Sequence, residues 1–206
     1  MRSQDTRQRT LTLLGLLTAA IKAELNTDHT RAIGHYRKLA LQGSLLDRVG
    51  IYQALARCYE KLGELKKAGA WHEKAGYAYL NISNRIMGEP ERAYYALLEF
   101  RSSLQDYGSG KRMRRAAARY LTALATCLKH SKEGYSHEML FAGFLSAKLG
   151  SHKRAGRFFM DSAKQFEQGK DTALAREIYA LASKQFQRAG ARRDAVKAHV
   201  MVMRLP

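Results

Sequence analysis

The sequence predicts an all-α protein, a stacked array of about ten antiparallel helices, and three observations carry that reading. Helix formers dominate: thirty alanines stand against ten valines and isoleucines together, and leucine is nearly as common as alanine. That balance favours helix over strand. Apolar residues recur at intervals of three and four, as in Ile51, Leu55, Ala56, Tyr59 and Leu62, which places them on one helical face. Turn signals then punctuate the chain at short intervals.

The first helix is predicted from "LTLLGLLTAAI", residues 11–21, behind Arg2, Arg7 and Arg9. The stretch has the outline of a signal or transit peptide. Its apolar pattern runs on past Ala23 to Leu25, however, as expected of a first packed helix. Thr27-Asp28 closes it. Ser44, Gly63, Gly88, the Gly108–Gly110 turn, Gly134, Gly150, Gly169 and Gly190 then read as caps or turns that bound the helices that follow. Pro90 suits a helix's first turn and Pro206 stands at the terminus. Links this short make successive helices antiparallel neighbours. No low-complexity linker interrupts residues 1–206, so a single helical-repeat domain is expected. Its one hinge candidate is the turn at 107–111, between an N-terminal half (1–106) and a basic C-terminal half (111–206).

An internal repeat supports the array. "KLGELKKAGAWHEKA" from Lys61 matches "KLGSHKRAGRFFMDSA" from Lys148, and "RAGARRDAVKAHVMV" from Arg188 is a looser copy. Gly63, Gly150 and Gly190 align, each followed five residues later by alanine: Ala68, Ala155 and Ala195. The glycine suits a tight turn, and the small alanine lets the second helix lie close against the first. A repeat at fixed offset is the mark of stacked helical hairpins.

The pattern resembles the tetratricopeptide repeat, a helical hairpin of about 34 residues. Leu55, Ala56, Tyr59, Gly63, Ala68 and Ala75 fall at its signature positions, with His72 where a large apolar residue is usual. Gly143, Gly150, Ala155 and Phe159 form a second copy, with Ser146 where Tyr is common, and Phe186, Gly190 and Ala195 a third. A degenerate first copy keeps Ala20, Ala32, Tyr36 and Leu39, with Thr27 in place of glycine. The resemblance implies a right-handed α-solenoid whose inner helices line a groove. By motif position that groove would take Gln53, Arg57 and Lys61, then Phe144 and Lys148, then Lys184 and Arg188. Five cations and an aromatic floor suit an acidic peptide or a terminal carboxylate.

Charge points the same way. Thirty-six basic residues against 18 acidic ones give +18 and a pI near 10.1, a field that attracts acidic partners. Residues 1–100 carry 15 basic and 10 acidic groups, and residues 101–206 carry 21 and 8. Cys58 and Cys127 are far apart without C-x-x-C spacing; this argues against a zinc knuckle or a disulfide framework and predicts a reducing, cytoplasmic setting.

"GSGKRMRR", residues 108–115, poses the sharpest question. It fails as a phosphate loop: position 105 is Gln, Arg112 replaces the magnesium-holding Ser or Thr, and a helix precedes the turn. What remains is Lys111, Arg112, Arg114 and Arg115 at a helix start, with Arg119 one turn on and no acid between Asp106 and Glu133. Cations in a first helical turn oppose the macrodipole, and a bound anion would explain them. Tyr94, Tyr95, Tyr107, Tyr120 and Tyr135 are read as core rather than base-stacking residues.

Catalysis is not indicated. "HEKAG" at His72 lacks the second histidine of a zinc-protease helix, and no nucleophile–base spacing occurs. Neither a metal nor a cofactor is expected. The last helix, "AVKAHVMVMRLP", is apolar for a cap, so Val196, Val200, Met201 and Met203 are expected to meet a partner or a second copy. The expected function is a non-enzymatic scaffold or adaptor subunit that docks acidic protein surfaces within a larger assembly. The alternative is a helical-repeat RNA- or DNA-binding protein using residues 111–119. Membrane adsorption is disfavoured, for want of a helix with a basic face and bulky apolar anchors.

Overall fold

The computed structural model describes residues 2–42, 45–131 and 134–206. Ser44, expected as a cap, lies outside the described residues, as do Glu133 and the side chains of Arg2, Arg7 and Arg9. Among the described residues there are ten helices and no strand: α1 (Arg2–Leu25), α2 (His29–Gln42), α3 (Leu45–Lys61), α4 (Leu65–Leu80), α5 (Glu89–Tyr107), α6 (Gly110–His130), α7 (Ser136–Lys148), α8 (His152–Gln168), α9 (Thr172–Arg188) and α10 (Arg192–Arg204). Residues 1–126 and residues 127–206 form two compact units. The 107–111 turn lies inside the first of them.

In the first unit, α1 buries Ala20 and Ala23, with Leu13 and Leu16 packed beside them, against Ala32, Ile33 and Tyr36 of α2 and Leu55, Cys58 and Tyr59 of α3. Residues 11–21 therefore belong to a packed helix. In the second unit, Phe159, Ala163, Ile178, Tyr179, Phe186, Ala195 and Ala198 make the corresponding core across α8, α9 and α10.

One turn design recurs five times. At Gly63, φ is +71°, and the chain closes α3 with two hydrogen bonds: Gly63 N donates to Glu60 O (2.9 Å) and Glu64 N to Tyr59 O (2.9 Å). These are the paired 5→2 and 6→1 bonds of a Schellman cap. Glu64, next after the glycine, already begins α4, since Ala68 N donates to Glu64 O. The same pair of bonds closes the turns at Thr27, Gly150, Lys170 and Gly190. Five residues past each turn stands a buried alanine: Ala32, Ala68, Ala155, Ala175 or Ala195.

The turn at 169–171 corrects the sequence reading. Gly169 keeps φ −75°, and it is Lys170 that adopts φ +65°. The left-handed residue is fixed by the register of the cap, two positions after the last helical residue, and at this turn glycine sits one place too early. Such a conformation costs an ordinary L-residue about 1–2 kcal/mol; Thr27, at φ +59°, bears the same cost.

Glycines inside helices set the spacing between them. A Cβ on Gly143 would lie 2.5 Å from the Phe159 ring, one on Gly156 2.7 Å from Phe186, and one on Gly76 2.8 Å from Phe100. An aromatic ring thus rests directly on the backbone of the neighbouring helix. At Gly69 the neighbour is the end of α5, with Asp106 Cβ and the Tyr107 ring at 3.0 Å. That approach brings Asp106 up to α4.

The repeat is least regular between α4 and α6. An eight-residue link, 81–88, replaces the three-residue turn, and Arg92 pins it by donating to the carbonyls of Leu80 (3.2 Å) and Ile82 (2.7 Å). Gly88 caps α5 and Pro90 lies in its first turn, as the sequence indicates. Four helices, α4 to α7, lie between the Gly63 and Gly150 copies, against two between Gly150 and Gly190; this, with the longer link and the longer helices α5 and α6, accounts for the wide gap.

Candidate functional site

Two concentrations of charge stand out in the first unit, one exposed and one buried. The exposed one is the start of α6. Gly110 opens the helix, no acidic residue lies in its first turn, and Lys111, Arg112, Arg114 and Arg115 are all exposed. Met113, Ala116, Ala117 and Tyr120 face inward from the same turns. Among the described residues none of the four cations makes an ion pair, so their charge is neutralised only by solvent. Arg119 differs, since its guanidinium lies over the Tyr77 ring at 5.0 Å. Of the tyrosines near this segment, Tyr107 and Tyr120 are buried, while Tyr94 and Tyr95 are partly exposed and Tyr95 stacks on Tyr79 at 5.2 Å.

The residues placed in a groove by motif position form three short rows. Gln53, Arg57 and Lys61 follow one another at four-residue spacing on α3 in the first unit. The amide of Gln53 is engaged internally, donating to Glu99 Oε1 (2.6 Å) and the Tyr79 hydroxyl (3.3 Å). Arg57 pairs with Glu24 at 3.4 Å, and Lys61 is exposed. In the second unit, Phe144 and Lys148 lie one turn apart on α7, and Lys184 and Arg188 one turn apart on α9. Phe144 is 51% exposed with its ring edge-on to Phe159, and the three cations are exposed. On α10, Val196, Val200 and Met203 are exposed, whereas Met201 packs against the α8–α10 core.

The buried concentration was not legible as a site in the sequence. It grows out of a tie that recurs with the turns. At three of the five turns the residue nine places on inserts a ring toward the preceding helix, and a glutamate three places before the turn receives it. Tyr36 donates to Glu24 Oε2 at 2.7 Å, and Tyr179 donates to Glu167 Oε2 at 2.8 Å. Burial, with the adjoining carboxylate adding to it, raises both phenol pKa values well above the ordinary range.

At the Gly63 turn the ring is His72, and its Nε2 lies 3.0 Å from Glu60 Oε1. An imidazole has a second nitrogen, and here Nδ1 meets Glu99 Oε2 at 2.8 Å. Asp106 Oδ2 comes within 3.9 Å of Nε2. Three carboxylates from α3 and α5 therefore surround one imidazole on α4, and among the described residues no lysine or arginine pairs with any of them. Burial pushes the His72 pKa down, but the hydrogen bonds to Glu99 and Glu60 outweigh it and hold the ring above its ordinary value. Burial raises the Asp106 carboxyl pKa, with His72 opposing and Glu60 adding.

No protein-family model and no curated protein sequence matches the chain. Solved structures do resemble it. The crystal structure of MamA protein aligns with a TM-score of 0.51 and 15% identity over 94% of this chain and 91% of that one. The crystal structure of BtubC (BKLC) from P. vanneervenii aligns with a TM-score of 0.48 and 16% identity, covering 98% and 82%. The TPR2AB domain of yeast Sti1, in complex with pHSP90, gives a TM-score of 0.29 and 14% identity over 94% and 98%. At these identities the likeness concerns the fold. The MamA likeness, taken with the five equivalent turns and the ring-on-glycine packing, gives the chain a tetratricopeptide-like helical-repeat fold.

Proposed function

We propose that the protein is a non-catalytic docking subunit that binds an acidic protein surface, with the start of α6 as its principal contact. The carrying observation is that Lys111, Arg112, Arg114 and Arg115 project from one exposed helix start and, among the described residues, form no ion pair. A fold gains nothing from unneutralised cations at the positive end of a helix dipole. A partner that brings carboxylates gains both the cations and the free N–H groups of the first turn. The exposed Phe144 and the cations Lys148, Lys184 and Arg188 extend the same preference to the second unit. Val196, Val200 and Met203 on α10 offer an apolar surface for self-association or assembly into a larger complex.

Residues 111–119 also suit phosphate, so the test separates the two anions. The intact protein is titrated into labelled poly-glutamate, generic RNA and duplex DNA across a salt series. The docking reading expects saturable poly-glutamate binding at about 150 mM salt and only weak, salt-abolished binding to nucleic acid. Submicromolar RNA or DNA binding, falling with salt by about 0.7–0.9 log units per phosphate contacted, would replace it with the nucleic-acid reading.

A further inference from the structure

We propose that Glu60, His72 and Asp106 form a divalent-metal site of the zinc class, with Glu99 orienting the imidazole. The hydrogen bonds place one proton of the ring on Nδ1. Glu99 accepts from the Gln53 amide through Oε1 and faces His72 Nδ1 through Oε2. Its carboxylate is thus a pure acceptor, and the Nδ1 proton belongs to that bond. A carboxylate that fixes one imidazole nitrogen so that the other is free to ligate is the usual outer shell of a metal-bound histidine.

The free nitrogen points at two more carboxylates. A metal ion that displaces the proton from Nε2 meets that nitrogen's lone pair with Glu60 Oε1 3.0 Å and Asp106 Oδ2 3.9 Å from it. Donors this close require a positive centre among them, either the proton of an Nε2–H or a metal ion: the proton serves Glu60 at 3.0 Å but leaves Asp106 Oδ2, at 3.9 Å, without a bond, whereas a metal ion takes all three. Two donors each about 2.0–2.2 Å from a tetrahedral zinc ion lie roughly 3.3–3.5 Å apart. The observed separations bracket that value, and the three donor atoms all fall within 4.8 Å of one another.

Asp106 supplies the independent observation. Its side chain is only 9% exposed, and its Oδ2, buried and directed at Nε2, has no hydrogen-bond partner. A buried carboxylate oxygen left unpaired is costly, and a cation would satisfy it. The surroundings are also out of character for a chain of net charge +18. The tyrosine ties sit beside arginines, Arg57 near Glu24 and Arg204 near Tyr179, whereas among the described residues this cluster pairs with none. One imidazole with two carboxylates is a hard-to-borderline donor set, suited to zinc or a neighbouring first-row ion. Glu60 is partly exposed and leaves the site open to solvent.

The test titrates zinc chloride into chelator-treated full-length protein by calorimetry, alongside Asp106→Asn and Glu60→Gln. Both substitutions preserve shape and remove one charged ligand. The expected result is one zinc ion per wild-type chain, affinity lowered at least tenfold in each variant, and a zinc-dependent rise in melting temperature that the variants lack. Absence of saturable zinc binding by the wild-type chain, or affinity in Asp106→Asn equal to wild type, would overturn the site. The cluster would then be a protonated histidine held by carboxylates.

Discussion

The first unit holds its cations and its carboxylates under opposite conditions. At the start of α6, Lys111, Arg112, Arg114 and Arg115 are exposed and, among the described residues, form no ion pair. Between α3, α4 and α5, the carboxylates of Glu60, Glu99 and Asp106 gather about the buried His72. Exposed charge is screened over about 8 Å at physiological salt and costs the fold little. Buried charge must be balanced within a few ångströms or the fold loses several kcal/mol. The comparison therefore separates what the molecule offers to partners from what it must satisfy itself, and substitutions in the two places should act on different measurements.

The largest effect is expected inside the cluster. His72→Ala removes the only imidazole among three carboxylates and should lower stability by about 3–5 kcal/mol, read as a fall in the urea midpoint with chelator present. Loss of less than 1 kcal/mol would mean that the carboxylates are already balanced by solvent. Next comes the packing that both units share. Gly143→Ala, whose Cβ would stand 2.5 Å from the Phe159 ring, should cost about 1–3 kcal/mol, and Gly156→Ala against Phe186 a similar amount. Smaller and opposite in sign is Lys170→Gly, which relieves a left-handed lysine. It should raise stability by up to about 1 kcal/mol, reduced by the greater freedom of glycine in the unfolded chain.

These residues also mark how far the sequence could be read. Gly63, Gly150, Gly190 and Thr27 were legible as turns because a buried alanine follows each at the same offset. Lys170 was not, because the adjacent Gly169 drew the turn to itself. Ala175 five residues past Lys170 and Tyr179 nine past it were the signals that would have corrected the reading. The start of α6 was visible as a run of cations without acids, a property of local sequence that burial did not alter. The His72 cluster was half visible: Glu60 stands 12 residues before it, the same interval as Glu24 to Tyr36 and Glu167 to Tyr179. Glu99 and Asp106 were beyond reach. They arrive from α5 across a link that breaks the repeat, where offset along the chain no longer reports proximity.

The most direct test of the account is one triple variant, Arg112→Ala with Arg114→Ala and Arg115→Ala, measured for both folding and binding. The account expects a helical spectrum and a urea midpoint unchanged to within about 0.5 kcal/mol, with poly-glutamate affinity at physiological salt lowered at least tenfold. Unchanged affinity, or a loss of helicity that accounts for the lost binding, would contradict it.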